Sequence, residues 1–300
     1  PIRYAAGSLG PDDGLRGRFY FQGLPAASSP PAAGVPTRID TLIPAYPPRG
    51  SICYLSFQID PPRFWKRLVL LSGVDQLLRG WETETGLKME RDIIPLLGGE
   101  GRLLLRPARP NKVIPLPEWG LVLSVRNNRD AERLMQIIAD WLLIEHGLIA
   151  AGERIKERRA TVFPNPFLPG ISFLVAEKML ICASSREMIS GLIDRLDGNA
   201  SPAPEPDSYF SDTGLSPEEP DILFYCNRDR AGPALIRMVE WYLPLRIFFG
   251  GDPIITDRDY RKRLLPLLEA FRPLKSFRAE INLKDTVVNG EVYCYIASSP

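Results

Sequence analysis

The stretch GLVLSVRNNRDAERLMQIIADWLL, residues 120–143, decides how the chain folds. Leu121–Val125 is a short apolar run of strand length, and from Asp130 the apolar residues recur at helical spacing through His146, where Gly147 ends the pattern. One hundred residues later PDILFYCNRDRAGPALIRMVEWYL, residues 220–243, repeats the layout: strand, Asn, helix, Trp. Leu123/Leu223, Asn127/Asn227, Ala131/Ala231, Trp141/Trp241 and Leu143/Leu243 match across the two. Both stretches lead on to hairpin patterns. The expected fold class is therefore α+β, with helices covering mostly antiparallel sheets built from repeated strand–helix–hairpin units.

Outward from these stretches, strands are expected at Ile52–Ile59, Gly101–Arg106, Ala160–Phe163 and Ile171–Ala183, the last folded into a hairpin at Glu177-Lys178. Pro61-Pro62 open a helix running to about Trp81, since proline is tolerated in the first turn. A short helical piece at Arg91–Leu97 ends on Gly98-Gly99. Ser185 is placed to cap a helix ending near Leu196. Further helices are expected at Ala231–Phe249 and Arg258–Phe271. In the closing hairpin Phe277, Ala279, Ile281 and Leu283 alternate with Arg278, Glu280 and Asn282, which predicts an apolar buried face and a polar wet one. Asn289-Gly290 supplies turn chemistry before Val292–Ala297.

Composition divides the chain further. Proline makes up 30 of the 300 residues, about twice ordinary usage. Residues 1–50 hold nine of them and read as an extended, proline-rich N-terminal arm. Residues 51–196 form an α+β domain, and 197–220 an acidic, proline-rich linker or exposed loop open to proteases. Residues 221–300 form a C-terminal α+β unit packed on the same body.

With 37 basic and 36 acidic side chains the net charge is +1, so no global field draws the chain to nucleic acid. No apolar run is long enough to span a bilayer. The chain opens on Pro1 rather than Met, so an N-terminal piece is expected to have been removed, and a signal or anchor segment fits that place. Cys53, Cys182, Cys226 and Cys294 all fall in strand-like apolar runs, which suits buried free thiols, while their even number also allows disulfides.

The chemistry on offer is sparse. His146 is the single histidine, and there is neither a CxxC nor an HxxxH pair, so no transition-metal shell is expected. Its place before Gly147 suits a last-turn residue that complements the helix dipole. Gly98-Gly99-Glu100-Gly101 precedes a strand and lacks the Lys-Ser/Thr of a phosphate loop, so no nucleotide cofactor is expected either. Carboxylate pairs among Glu82, Glu84, Glu90 and Asp92, or Asp257 and Asp259, are the one route to acid–base catalysis, although each stands beside Arg or Lys. The remaining signal is an apolar helix face: Trp241, Leu245, Phe248 and Phe249 are candidate partner-binding residues, with Pro244 expected to bend the helix beside them.

IDTLIPAYPPRGSICYLSFQID, GLKMERDIIPLLGGEGRLLL, WGLVLSVRNNRDAERL and FRPLKSFRAEINL together resemble the bacterial family known as domain of unknown function 3352. The resemblance rests on Leu42–Ala45, Gly86–Glu100 and Val122–Leu134, and this chain departs from the pattern in its proline-rich arm. It implies an extracytoplasmic protein, periplasmic or on the cell surface, and brings no catalytic residues. The expectation is a non-catalytic binding or scaffold protein, an accessory subunit of a larger membrane-associated assembly with a protein partner. The alternative is a hydrolase using a carboxylate pair.

Overall fold

In the computed structural model the described residues are 14–22, 42–44, 46–72, 74–108, 115–164, 170–199, 205–208, 210, 220–249, 256, 258, 260–270, 272–284 and 287–296. Side chains are not described for 14–22, 67, 70–72, 74–77, 146, 243–249, 284 and 287–289.

The strands are β1 (Gly14–Gln22), β2 (Cys53–Gln58), β3 (Leu97–Arg106), β4 (Glu118–Val125), β5 (Ala151–Ile155), β6 (Arg158–Phe163), β7 (Ile171–Ala176), β8 (Met179–Ala183), β9 (Ile222–Asn227), β10 (Leu274–Lys284) and β11 (Val287–Ile296). They form one sheet in the order β1-β11-β10-β9-β2-β3-β4-β8-β7-β6-β5. Every pairing in it is antiparallel. The helices are α1 (Pro61–Ser72), α2 (Val74–Thr85), α3 (Asn128–His146), α4 (Arg186–Leu196), α5 (Arg228–Phe249) and α6 (Leu265–Ala270). The fold is α+β around a large antiparallel sheet. No helix among the described residues is long and apolar enough to cross a membrane.

Side chains alternate across a strand, so β4, β7 and β8 each feed two cores. Val122, Ile181, Leu174, Tyr54 and Tyr225 point to one face, where α4 lays Ile189, Leu192 and Ile193 on them. Val125, Leu180 and Phe173 point to the other, under Ala131, Leu134, Met135 and Ala139 of α3. Each fully buried aliphatic side chain contributes about 1.5–3 kcal/mol. The helix starts follow from their caps. Asn127 Oδ1 accepts from the Arg129 N–H at 2.9 Å, and Ser185 Oγ accepts from the Met188 N–H at 3.1 Å. At the end of α3, Gly147 takes φ +64°, and the N–H groups of Gly147 and Leu148 bond Leu143 O and Leu142 O. The His146 side chain lies outside the described residues. Glu177 and Lys178 turn β7 into β8 with φ of 50° and 60°, the backbone of a tight primed hairpin turn.

Several expected features take a different form. The glycines Gly98, Gly99 and Gly101 lie inside β3, which begins at Leu97. A Cβ on Gly99 would stand 2.4 Å from Ile59 O, and one on Gly101 2.3 Å from the Phe57 ring, so close packing against β2 and the residues just after it requires glycine there. The helical piece before β3 is a π-helical turn, Met89–Ile93, followed by a 3-10 turn, Ile94–Leu96. Gly14–Gln22, from the proline-rich segment, pairs with β11 along its whole length at one edge of the sheet. β5, at the opposite edge, was not among the expected strands: Gly152, Glu153 and Arg154 give it little apolar signature. The strands β2 and β9 pair over Cys53–Phe57 and Ile222–Cys226, so one sheet runs through both expected α+β units. The two matched stretches return to that sheet differently. After β4 and α3 the chain goes to the far edge at β5, whereas after β9 and α5 it returns to the neighbouring β10.

The largest inversion is in β10. Arg278 and Glu280 are only 3% and 4% exposed, while Phe277, Ala279, Ile281 and Leu283 are half-buried. The polar face is the covered one. What covers part of it is the acidic segment: Asp207 and Phe210 are buried, and Phe210 lies edge-on to Tyr225 at 5.9 Å.

Candidate functional site

A surface cleft of about 460 Å³ opens where three pieces of chain meet: the end of α2 (Thr85–Leu87), the π and 3-10 turns (Arg91–Leu96), and the junction of β4 with α3. Leu87, Leu96, Leu134 and Ile137 form its apolar floor, and Arg91, Arg126, Arg133, Asp92 and Asp130 its charged wall. Local hydrogen bonds build the wall. Asp92 Oδ2 accepts from the Lys88 N–H at 2.7 Å, and Arg91 grips both oxygens of the same carboxylate from Nε and Nη2 at 2.8 and 2.9 Å. Arg126 N–H bonds Leu96 O at 2.9 Å and its Nε reaches Leu97 O at 3.2 Å, tying β4 to the 3-10 turn.

Of the four expected carboxylates in this region Asp92 lines the cleft, and Glu82, Glu90 and Asp92 are engaged in bonds that hold the backbone or a neighbouring helix. Glu82 accepts from the Met89 N–H at 2.9 Å and from Lys88 Nζ at 3.2 Å; the backbone bond first, then Lys88, holds its carboxyl below the usual range. Asp92 is held low by the Arg91 guanidinium and next by the Lys88 N–H. Glu90 accepts from Trp65 Nε1 at 3.1 Å. Glu84 is exposed. A catalytic acid needs a raised pKa, and Glu82 and Asp92 are shifted the opposite way. Asp257 and Asp259 lie outside the described residues. The cleft thus sets three guanidinium groups and two carboxylates over an apolar floor.

The second concentration of polar side chains is internal. Asp207, fully buried, accepts from the Tyr225 hydroxyl at 2.6 Å and from Asn227 Nδ2 at 3.3 Å, and pairs with Arg230. Burial first, and then the bond to Asp207, push the Tyr225 hydroxyl far above its usual pKa, so it is a neutral donor at every physiological pH. One strand further, Arg278 pairs with Glu280 and lies 4.5 Å over the Phe210 ring and 5.3 Å from that of Tyr293, whose hydroxyl donates to Glu291. The alternating Arg-x-Glu of β10 was the available signal, but alternation alone does not tell which face is covered.

Of the candidate partner-binding residues, Trp241 is half-buried on α5. The side chains of Leu245, Phe248 and Phe249 lie outside the described residues, although the helical backbone continues through Pro244 to Phe249. Asn227 starts this helix as Asn127 starts α3, accepting from the Arg230 N–H at 3.2 Å. Comparison with family models, with curated proteins and with solved structures finds no match for this chain.

Proposed function

We propose that this chain is a non-catalytic binding or scaffold protein that acts outside the cytoplasm as an accessory subunit of a larger membrane-associated assembly, with a protein as its partner. The observation that carries the reading is the cleft at Asp92, where that carboxylate is held by the Lys88 N–H and by Arg91 while Arg126, Arg133 and Asp130 line the wall over an apolar floor. The resemblance of Gly86–Glu100 to domain of unknown function 3352 falls on the same wall of the cleft and supports the extracytoplasmic placement. The α5 face at Trp241, Leu245, Phe248 and Phe249 is the second contact in this reading. The shared strand–Asn–helix junctions at Asn127 and Asn227, each with its side chain as the cap, support a repeated unit behind the α+β fold.

Two charge reversals, Arg126→Glu with Arg133→Glu, test the reading. Envelope fractions from the source cells supply the assembly, recovered on the tagged full chain after crosslinking. Recovery is expected to fall at least about tenfold, roughly 1.4 kcal/mol, beyond what any loss of folded chain accounts for. Trp241→Ala with Phe248→Ser is expected to act the same way. Hydrolysis of a glycoside or ester by the wild-type chain, lost in a folded Asp92→Asn variant, would overturn it in favour of a carboxylate hydrolase.

A further inference from the structure

Cys53 on β2 and Cys226 on β9 are direct register partners at the pairing that joins the two halves of the sheet, and their sulfurs stand 3.1 Å apart. We propose that this pair is a thiol–disulfide site: an oxidant of the disulfide class converts Cys53 and Cys226 into a cross-strand disulfide that staples β2 to β9. The assignment is independent of the proposed function, because it rests on the register and on the two sulfurs alone.

The backbone permits the bond. Asn227 N–H bonds Ile52 O at 2.8 Å and Gln58 N–H bonds Asp221 O at 2.7 Å, so the hydrogen-bonded pairs fall at the even-numbered residues of β2. Cys53 and Cys226 form the alternate kind of pair, in which the two Cα atoms approach to about 4.5 Å, inside the range a disulfide spans. No other cysteine competes. Along β10, Phe277 separates Cys226 from Cys294, and the whole of β3 and β4 lies between Cys53 and Cys182. With neighbouring strands about 4.8 Å apart, neither is within bonding reach. Both partners are half-buried rather than sealed in a core.

The pair is also chemically asymmetric. The Cys53 S–H donates to the Cys226 sulfur, which draws Cys226 below the ordinary thiol pKa, while the same bond and burial raise Cys53. Cys226 is therefore the attacking sulfur. Its thiolate displaces one thiolate from the oxidant's disulfide and forms a mixed disulfide. Cys53 then no longer faces a thiolate; it loses its proton and attacks Cys226 Sγ, expelling the second thiolate. Two protein thiols and one oxidant disulfide become one protein disulfide and two small thiols, with both protons ending on the leaving groups. Two electrons pass from the cysteine sulfurs to the oxidant.

The test is to equilibrate the folded full-length chain with oxidised glutathione, quench in acid, alkylate under denaturing conditions and map the peptides. The free thiols are expected to fall from four to two, with residues 53 and 226 in one linked peptide that dithiothreitol separates. In Cys53→Ser the mixed disulfide is expected to accumulate on residue 226, because the resolving sulfur is gone. If that variant does not fold, the wild-type map decides alone. Recovery of residues 53 and 226 on separate peptides, reduced or glutathionylated, overturns the proposal, as does a link that forms only in denaturant.

Discussion

A buried ion pair lies inside the C-terminal half. Arg278 and Glu280 lie two apart on one strand face, both under 5% exposed, with Phe210 and Tyr293 against the guanidinium. Such a pair adds little net stability over well-packed apolar residues, yet removing one partner strands the other charge. Glu280→Leu alone is expected to cost about 3–5 kcal/mol, and Arg278→Met with Glu280→Leu far less. Urea unfolding of the two variants checks this; equal losses would show that the charges do not act as a pair. The same logic explains why these residues mislead a reader of sequence. Period-two alternation establishes that the two faces of β10 differ, but the partners that make the charged face buriable, Phe210 and Tyr293, come from other segments.

At the scale of elements, the acidic segment deserves its place in the fold to Asp207. Arg49 N–H bonds Glu205 O at 2.7 Å, Asp207 N–H bonds Pro47 O at 2.9 Å, and Pro48 bridges Pro206. Two proline-rich pieces distant in the sequence thus hold each other, and the Asp207 carboxylate pins them to Tyr225, Asn227 and Arg230. Residues 205–210 are expected to resist protease in the wild-type chain. Asp207→Ala leaves Arg230 without that carboxylate and is expected to open the segment by about 3 kcal/mol, roughly a hundredfold rise in cleavage across 205–210 where cutting follows the open population. Limited proteolysis with mass mapping measures it. An unchanged cleavage rate would mean that Asp207 does not hold the segment.

Across the whole molecule, the eleven described strands end in two edge strands, β5 and β1, and exposed edges of this kind can pair with other chains. β5 is five residues long and carries Glu153 and Arg154. At the other end β1 covers the ten-residue β11 and is itself the edge strand. Deleting residues 1–22 is expected to lower the unfolding midpoint and to make the chain associate with concentration, as the bare β11 edge finds strands of other molecules; sedimentation velocity of the truncated and intact chains distinguishes this from a purely local effect. The sequence by itself determined the kinds of element and most of their ends, because periodicity, the caps Asn127 and Ser185 and the stop at Gly147 are local signals. It also carried the antiparallel α+β class. The tertiary structure alone decided that Gly14–Gln22 pairs with a strand 265 or more residues away in the chain, that Phe210 covers part of the charged face of β10, and that Cys53 meets Cys226. Each of these depends on strand register and on contacts between distant segments. The free energy that selects them comes from burying surfaces that no local window of sequence contains.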